Sequence, residues 1–244
     1  MARTARKLCE SNIYHVMLRA VNRQQIFLDE EDREFFLHIL VQCREISQFS
    51  VYAYCLMGNH VHLLLQTGEE PLPQVMKRIG TRFVVWYNAK YSRTGHLFQD
   101  RYRSEPVQDN AYFLTVLRYI LYNPVKAGIC KAADQYPFSS ARDYFNGGGI
   151  TDTSFAEEMT GKQALLDFLK MPSDDACMDE TPSRLNERDA KDIILETAGG
   201  KDMADCQRII ASHPDHYVPI LRKSGLSIRQ ISRLTGLSIG IVRK

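Results

Sequence analysis

Apolar positions crowd together in three short runs, Ile13 to Leu18, Val51 to Met57 and His60 to Gln66, and each run is bounded by turn-forming or polar residues. That pattern predicts three strands, the first ending near Ala20-Val21-Asn22. Between the first and second, Phe35, Phe36, Ile39, Leu40, Cys43 and Ile46 recur at helical spacing. The carboxylates Asp29 to Asp32 precede them, where a helix dipole favours negative charge, so a helix is expected to run to about Ser47. Only Gly58-Asn59 separates the second and third strands, which makes them antiparallel neighbours. After Pro71 and Pro73, the positions Val75, Met76, Ile79, Phe83, Val84, Trp86 and Tyr87 mark a second helix. Loose alternation from Arg101 to Val107 suits a half-exposed fourth strand.

Strand, helix, strand, strand, helix, strand is the order of a split βαβ arrangement. The predicted fold class is α+β: a ferredoxin-like antiparallel sheet with helices on one face, followed by a small C-terminal all-α unit. A further helix starts near Asp109-Asn110 and ends at Asn123-Pro124, with Gly128 beyond it. Gly147-Gly148-Gly149 is the first clear flexible point, and Met171 to Glu187 is acidic and contains Pro172 and Pro182. The expected division is therefore a first domain over 1–146, a linker over 147–187 with a short helix between Ala156 and Leu169, and a helical domain over 188–244. In the last domain, Ser227 can cap one helix, Gly236 can break it and Ser238 can cap the next, which is helix-turn-helix form.

Composition narrows the class little. With 44% hydrophobic and 25% charged residues among 244, and a formal charge of +2, the chain has the totals of an ordinary globular protein. Six cysteines without a Cys-x-x-Cys pair argue against a zinc ribbon and a disulfide scaffold. No signal-peptide core follows the basic N-terminus and no apolar run approaches a membrane span, so the expectation is a cytoplasmic protein without a membrane partner. Charge distribution says more than its sum. From Pro71 to Cys130 nine basic residues stand against three acidic ones, and from Cys206 to Lys244 seven stand against one. Such local excess favours phosphate contact. Lys77, Arg78, Arg82, Arg101 and Arg103 are candidates in the first region, Arg229, Arg233 and Arg243 in the second, with Arg19 and Arg23 near the end of the first strand. Tyr87, Tyr91, Phe98 and Tyr102 are candidates for stacking on unpaired bases.

Candidate chemistry begins with His60 and His62. Residues i and i+2 of a strand share a face, so the two imidazoles project side by side and can share a metal ion. An isolated His-x-His on a strand is ordinarily a packing feature, so other groups must complete the case. On the helix ending at Asn123, Phe113, Leu117, Ile120 and Leu121 form the core stripe. Tyr119 and Asn123, four residues apart, stack on another face and present a phenol beside a carboxamide.

Gly58-Asn59-His60-Val61-His62, Gly95-His96-Leu97-Phe98-Gln99-Asp100-Arg101-Tyr102, Tyr119-Ile120-Leu121-Tyr122-Asn123-Pro124-Val125-Lys126-Ala127-Gly128 and Tyr136-Pro137-Phe138-Ser139-Ser140 occur in that order. Together they resemble the REP-associated tyrosine transposases, within the single-tyrosine HUH transposases, over roughly residues 13–144. The resemblance implies a catalytic domain that cuts single-stranded or hairpin DNA through a 5′-phosphotyrosine intermediate. It maps the nucleophile onto Tyr119 and the metal ligands onto His60, His62 and Asn123, with Mg²⁺ or Mn²⁺ as the expected cofactor. The C-terminal unit is expected to bind duplex DNA through the helix beginning near Ser238, or to serve as a small packing module. The alternative for the whole chain is a DNA-binding regulator that keeps the scaffold and cuts nothing. A histidine phosphohydrolase would require a third histidine in register after His62, which the sequence lacks.

Overall fold

Hydrogen bonding joins β1 (Ile13–Arg19), β2 (Ser50–Met57), β3 (His60–Gln66) and β4 (Arg103–Pro106) into one antiparallel sheet in the order β2-β3-β1-β4. The computed structural model describes residues 10–99, 101–171, 177 and 187–243. With α1 (Glu30–Ser47) and α2 (Leu72–Lys90) between the strands, the topology is the expected split βαβ. Local chemistry accounts for the helix starts. Asp29 and Asp32 form a reciprocal capping box at α1, while Pro71 precedes α2 and Pro73 lies in its first turn. Asp32 is fully buried but accepts from the Leu28 amide at 2.6 Å and from Lys90 Nζ at 3.0 Å, which ties the start of α1 to the end of α2.

The β2–β3 connection is the two-residue turn Gly58-Asn59. Neither residue has positive φ, so Gly58 is not there for left-handed backbone. A Cβ at that position would fall 2.2 Å from Gln25 Oε1, so the glycine leaves room for that amide.

Register decides which side chains meet. Residues directly opposite in a ladder share a face. Arg19 pairs with His60, Met17 with His62 and His15 with Leu64, so all of these point to one side of the sheet. The other side carries Tyr14, Val16, Leu18, Val61, Leu63 and Leu65, packed with Phe36, Leu40, Val75, Ile79 and Phe83 of α1 and α2. The expectation of helices on one face therefore holds for the split βαβ pair. The His60 face is covered by α3 (Asn110–Lys126), whose Phe113, Val116, Tyr119 and Ile120 share a second core with Cys55, Met57 and Leu64. Asp109 caps α3 by accepting from the Tyr112 amide at 2.7 Å. The helix runs through Pro124 rather than ending there, because a proline in the last turn removes a single backbone donor.

Strand β2 is an edge, and the segment 136–144 closes it. The Leu56 amide donates to the Phe138 carbonyl at 2.9 Å, and the hydroxyls of Tyr136 and Tyr144 donate to the carbonyls of Leu56 and Tyr52. Beyond α4 (Ala141–Asn146), α5 (Ser154–Thr160) and α6 (Lys162–Lys170) bury Ala156, Leu165 and Leu169 in the second core. Phe155 stacks on Tyr52 at 4.8 Å and meets Phe113 edge-on at 5.1 Å. The stretch expected as a linker with a short helix is thus, up to Met171, part of the first unit. Residues 172–176 and 178–186 of that expected linker lie outside the described residues.

The chain divides into two compact units between Met178 and Asp179. The second contains α7 (Glu187–Ala198), α8 (Met203–Ser212), α9 (Pro214–Lys223), α10 (Ile228–Thr235) and α11 (Ile239–Arg243) around Ile194, Ile210, Leu221, Ile231 and Val242. Ser227 caps α10 in a box with Gln230, and Gly236 ends it at φ 78°. Among the described residues no helix is long and apolar enough to cross a membrane.

Candidate active site

Three elements converge on the α3 side of the sheet. Strand β3 contributes His60 and His62, whose rings lie 4.9 Å apart and nearly perpendicular. Strand β1 contributes His15, and α3 contributes Tyr119. The Tyr119 ring meets His62 edge-on at 5.7 Å and His15 at 5.9 Å. Residues brought from distant points in the chain thus form one cluster of three imidazoles and a phenol. Tyr119 is 4% exposed, and Asn123, one turn further along α3, is 8% exposed.

Hydrogen bonds around the imidazoles bear on whether a cation fits. Asn59 Oδ1 lies 2.6 Å from His60 Nδ1. A carboxamide oxygen only accepts, so Nδ1 carries a proton, and in the neutral ring the lone pair resides on Nε2. That is the tautomer an imidazole uses when it ligates through Nε2 with a partner behind it. His62 Nδ1 faces His15 Nε2 at 3.0 Å. Cys55, opposite His62 in the ladder, is fully buried, and desolvation pushes its thiol up, so it packs as an apolar side chain instead of offering a thiolate. Among the described residues no group of three or more His, Cys, Asp or Glu has the arrangement of a metal cluster. A cation here must therefore draw on a mixed set, for which His60, His62 and the Asn123 carboxamide have suitable donor chemistry.

The basic candidates separate sharply. Arg19 stands opposite His60, and Arg103 pairs with Met17 in the row that includes His62, so both are on the site face. Arg101 is exposed just before β4. The segment 97–99 runs along the end of β1, where Gln99 N donates to Arg19 O at 2.9 Å. Arg23 lies in the short helical turn Val21–Arg23, and its side chain is outside the described residues. Lys77, Arg78 and Arg82 are on α2, the layer across the sheet from Tyr119. Arg78 binds Glu70 through both terminal nitrogens and also reaches Ser47, so its guanidinium is engaged within the fold. Of the expected stacking aromatics, Tyr87 is buried and the Tyr91 hydroxyl binds Asp32 at 2.9 Å, while Phe98 and Tyr102 are half-buried. In the second unit Arg229 and Arg243 are exposed, and Arg233 pairs with Glu187 at 3.2 Å.

Two members of the cluster escape sequence reasoning. His15 has no motif of its own; only the β1–β3 register shows that it shares a face with His62. Lys126 lies seven residues after Tyr119, hence on the same helix face, and its Nζ sits 5.3 Å from the Tyr119 ring.

Comparison with known proteins places this cluster in context. Residues 9–123 match the family model described as Transposase IS200 like. A Haemophilus influenzae protein provisionally named a REP-associated tyrosine transposase is 24% identical over 157 residues, which span 57% of this chain and 85% of that protein. A solved structure of a REP-associated tyrosine transposase bound to a REP hairpin superposes with a TM-score of 0.52 at 20% identity, covering 62% of this chain and 94% of that one. At that identity the likeness is one of fold.

Proposed function

We propose, from the match of residues 9–123 to the family model described as Transposase IS200 like, that this chain is a metal-dependent endonuclease and strand transferase that cuts hairpin-bearing single-stranded DNA through Tyr119. The observation that carries the reading is the packing of the Tyr119 ring against His62, which brings a phenol to the edge of a two-imidazole site.

In this reading the Tyr119 oxygen attacks the scissile phosphorus and loses its proton to solvent, the bond from phosphorus to the 3′-oxygen breaks, and that oxygen takes a proton back from solvent. The 5′ phosphate stays on Tyr119 and the other strand end leaves as a 3′-hydroxyl. Attack of a second 3′-hydroxyl on the phosphotyrosine reverses the exchange, so joining consumes no nucleotide. A phenol with an ordinary pKa near 10 is a weak nucleophile at neutral pH and needs help. Mg²⁺ or Mn²⁺, held by His60, His62 and Asn123, would supply Lewis-acid charge at the phosphate. Asn59 fixes the His60 ring, Lys126 adds positive charge beside Tyr119, and Arg19 and Arg103 flank the site to draw in the backbone. The hairpin preference is carried over from the fold neighbour, whose structure holds a REP hairpin.

The test is a denaturing-gel assay for a covalent protein–DNA band, with Mn²⁺ and a panel of hairpin oligonucleotides. The wild-type chain gives the band, and Tyr119→Phe loses it while keeping band-shift binding. Cleavage that survives Tyr119→Phe on a good substrate removes the assignment. A second reading, a non-cleaving regulator, draws support from the capped α10 and the exposed arginines of the second unit; binding without any adduct in the wild-type chain would select it. In either reading the second unit is proposed to hold duplex flanks through α11, and unchanged duplex affinity after deletion of 187–244 counts against that role.

A further inference from the structure

We propose that His15 is a positioning residue that sets the tautomer of His62, an inference that rests on the metal role proposed above. His15 and His62 are both fully buried and lie on neighbouring strands with their side chains on the same sheet face. His15 Nε2 and His62 Nδ1 are 3.0 Å apart, with ring centroids at 5.2 Å. At that separation one nitrogen carries the proton and the other accepts it.

Two neutral arrangements satisfy the contact, and they differ in what His62 presents on its far side. If His15 Nε2–H donates, His62 accepts at Nδ1 and carries its own proton on Nε2, where it has no lone pair to give. If His62 Nδ1–H donates, Nε2 holds the lone pair and His15 is the Nδ1–H tautomer. Only the second arrangement serves a cation. His15 then does for His62 what Asn59 does for His60 at 2.6 Å: each ligand is held at Nδ1 by a partner behind it and presents Nε2. The contact of His15 with the Tyr119 ring at 5.9 Å adds a second consequence, because the same imidazole fixes the ligand and the nucleophile against each other.

The experiment measures Mn²⁺ affinity of the full chain without DNA, by paramagnetic resonance of free Mn²⁺, in His15→Gln, His15→Leu and His60→Ala. The Gln side chain retains an acceptor oxygen for His62 Nδ1 and the Leu side chain does not. His15→Leu is expected to weaken Mn²⁺ binding by roughly 10- to 100-fold, the usual cost of losing a partner behind a ligand, with His15→Gln within about threefold of wild type. The melting temperatures of the two metal-free variants are expected to match each other. Wild-type affinity in His15→Leu together with lost affinity in His60→Ala overturns the role of His15. Unchanged affinity in His60→Ala overturns the metal reading itself. Should His15→Leu fail to fold, nitrogen-15 resonance of the Mg²⁺-loaded wild-type chain decides: His62 protonated at Nδ1 supports the proposal, and His62 protonated at Nε2 overturns it.

Discussion

Arg19 stands directly opposite His60 across the β1–β3 ladder, on the face covered by α3. The pairing puts a permanent positive charge one strand away from a proposed ligand, at the end of the sheet where the segment 97–99 also arrives. Arg19→Ala is therefore expected to weaken binding of a hairpin oligonucleotide and to reduce the slope of log affinity against log salt by about one phosphate contact. Lys77→Ala, on the far layer, is expected to leave both unchanged. Fluorescence anisotropy between 50 and 300 mM salt, at about six concentrations, measures the slope. Equal effects from the two substitutions would show that the sheet face does not define the DNA path.

Asn59 holds His60 in the Nδ1–H tautomer through the 2.6 Å contact. Asn59→Ala removes the acceptor without touching either proposed ligand. The expected result is a loss in Mn²⁺ affinity of at least 10-fold, with cleavage restored by raising Mn²⁺. Titrating cleavage rate against Mn²⁺ in both proteins checks it. A reduced rate that excess Mn²⁺ does not restore would place the effect in the turn, not in the ligand.

The parts of this site differ in how far local sequence reaches them. His60, His62, Tyr119 and Asn123 are separated by two or four residues within single elements, so period alone aligns each pair. Their meeting depends on α3 crossing the second face of the sheet, which no local pattern encodes. His15 is invisible for the same reason, since its partner lies 47 positions away. Charge density is local and marks Arg78 as a phosphate candidate, whereas its bonds to Glu70 and Ser47 are a tertiary fact. Beyond its glycines, the run 147–171 depends on partners from elsewhere in the chain. Gly147 to Gly149 do break the chain, but the helices that follow carry Phe155, Ala156 and Leu165, whose apolar partners Tyr52 and Phe113 are supplied by β2 and α3.

That packing makes α5 and α6 structural parts of the first unit. Phe155→Ala is expected to cost about 2 to 3 kcal/mol, below the full core value because Phe155 is only partly buried. A chain ending at 146 is expected to lose far more, since Tyr52 and Phe113 both lose a neighbouring ring. A chain ending at 178 is expected to melt as the first unit does in the full chain. Calorimetry of the three proteins tests this, and a chain ending at 146 with an unaltered melting temperature would restore the linker reading.

Glu70 supplies a pH-dependent tie between the loop before α2 and the end of α1. The Arg78 guanidinium and the Ser47 hydroxyl hold its carboxyl down to about 2. An unfolded glutamate titrates near 4.3, so the folded value is the lower one. The interaction therefore stabilises fully above the unfolded pKa and fades as pH falls from about 4 to about 2. Glu70→Gln is expected to lower the urea midpoint at pH 7 and to flatten its fall between pH 4.5 and 2.5. Parallel acid limbs in the two proteins would mean the pair adds nothing to stability.

Gly236 closes α10 at φ 78°, a left-handed position that a Cβ makes costly, while none of the described residues stands within 4 Å to clash with one. Backbone strain is thus the only cost of Gly236→Ala, about 1 kcal/mol. The loss falls on the turn between α10 and α11, so the second unit should melt earlier while the first unit keeps its transition. If α11 grips duplex DNA, flank affinity falls with it, whereas adduct formation at Tyr119 on a minimal hairpin stays at the wild-type level. Measuring both on the one variant separates the two units: a parallel drop in adduct formation would mean that the second unit takes part in cutting and is not only a grip on neighbouring duplex.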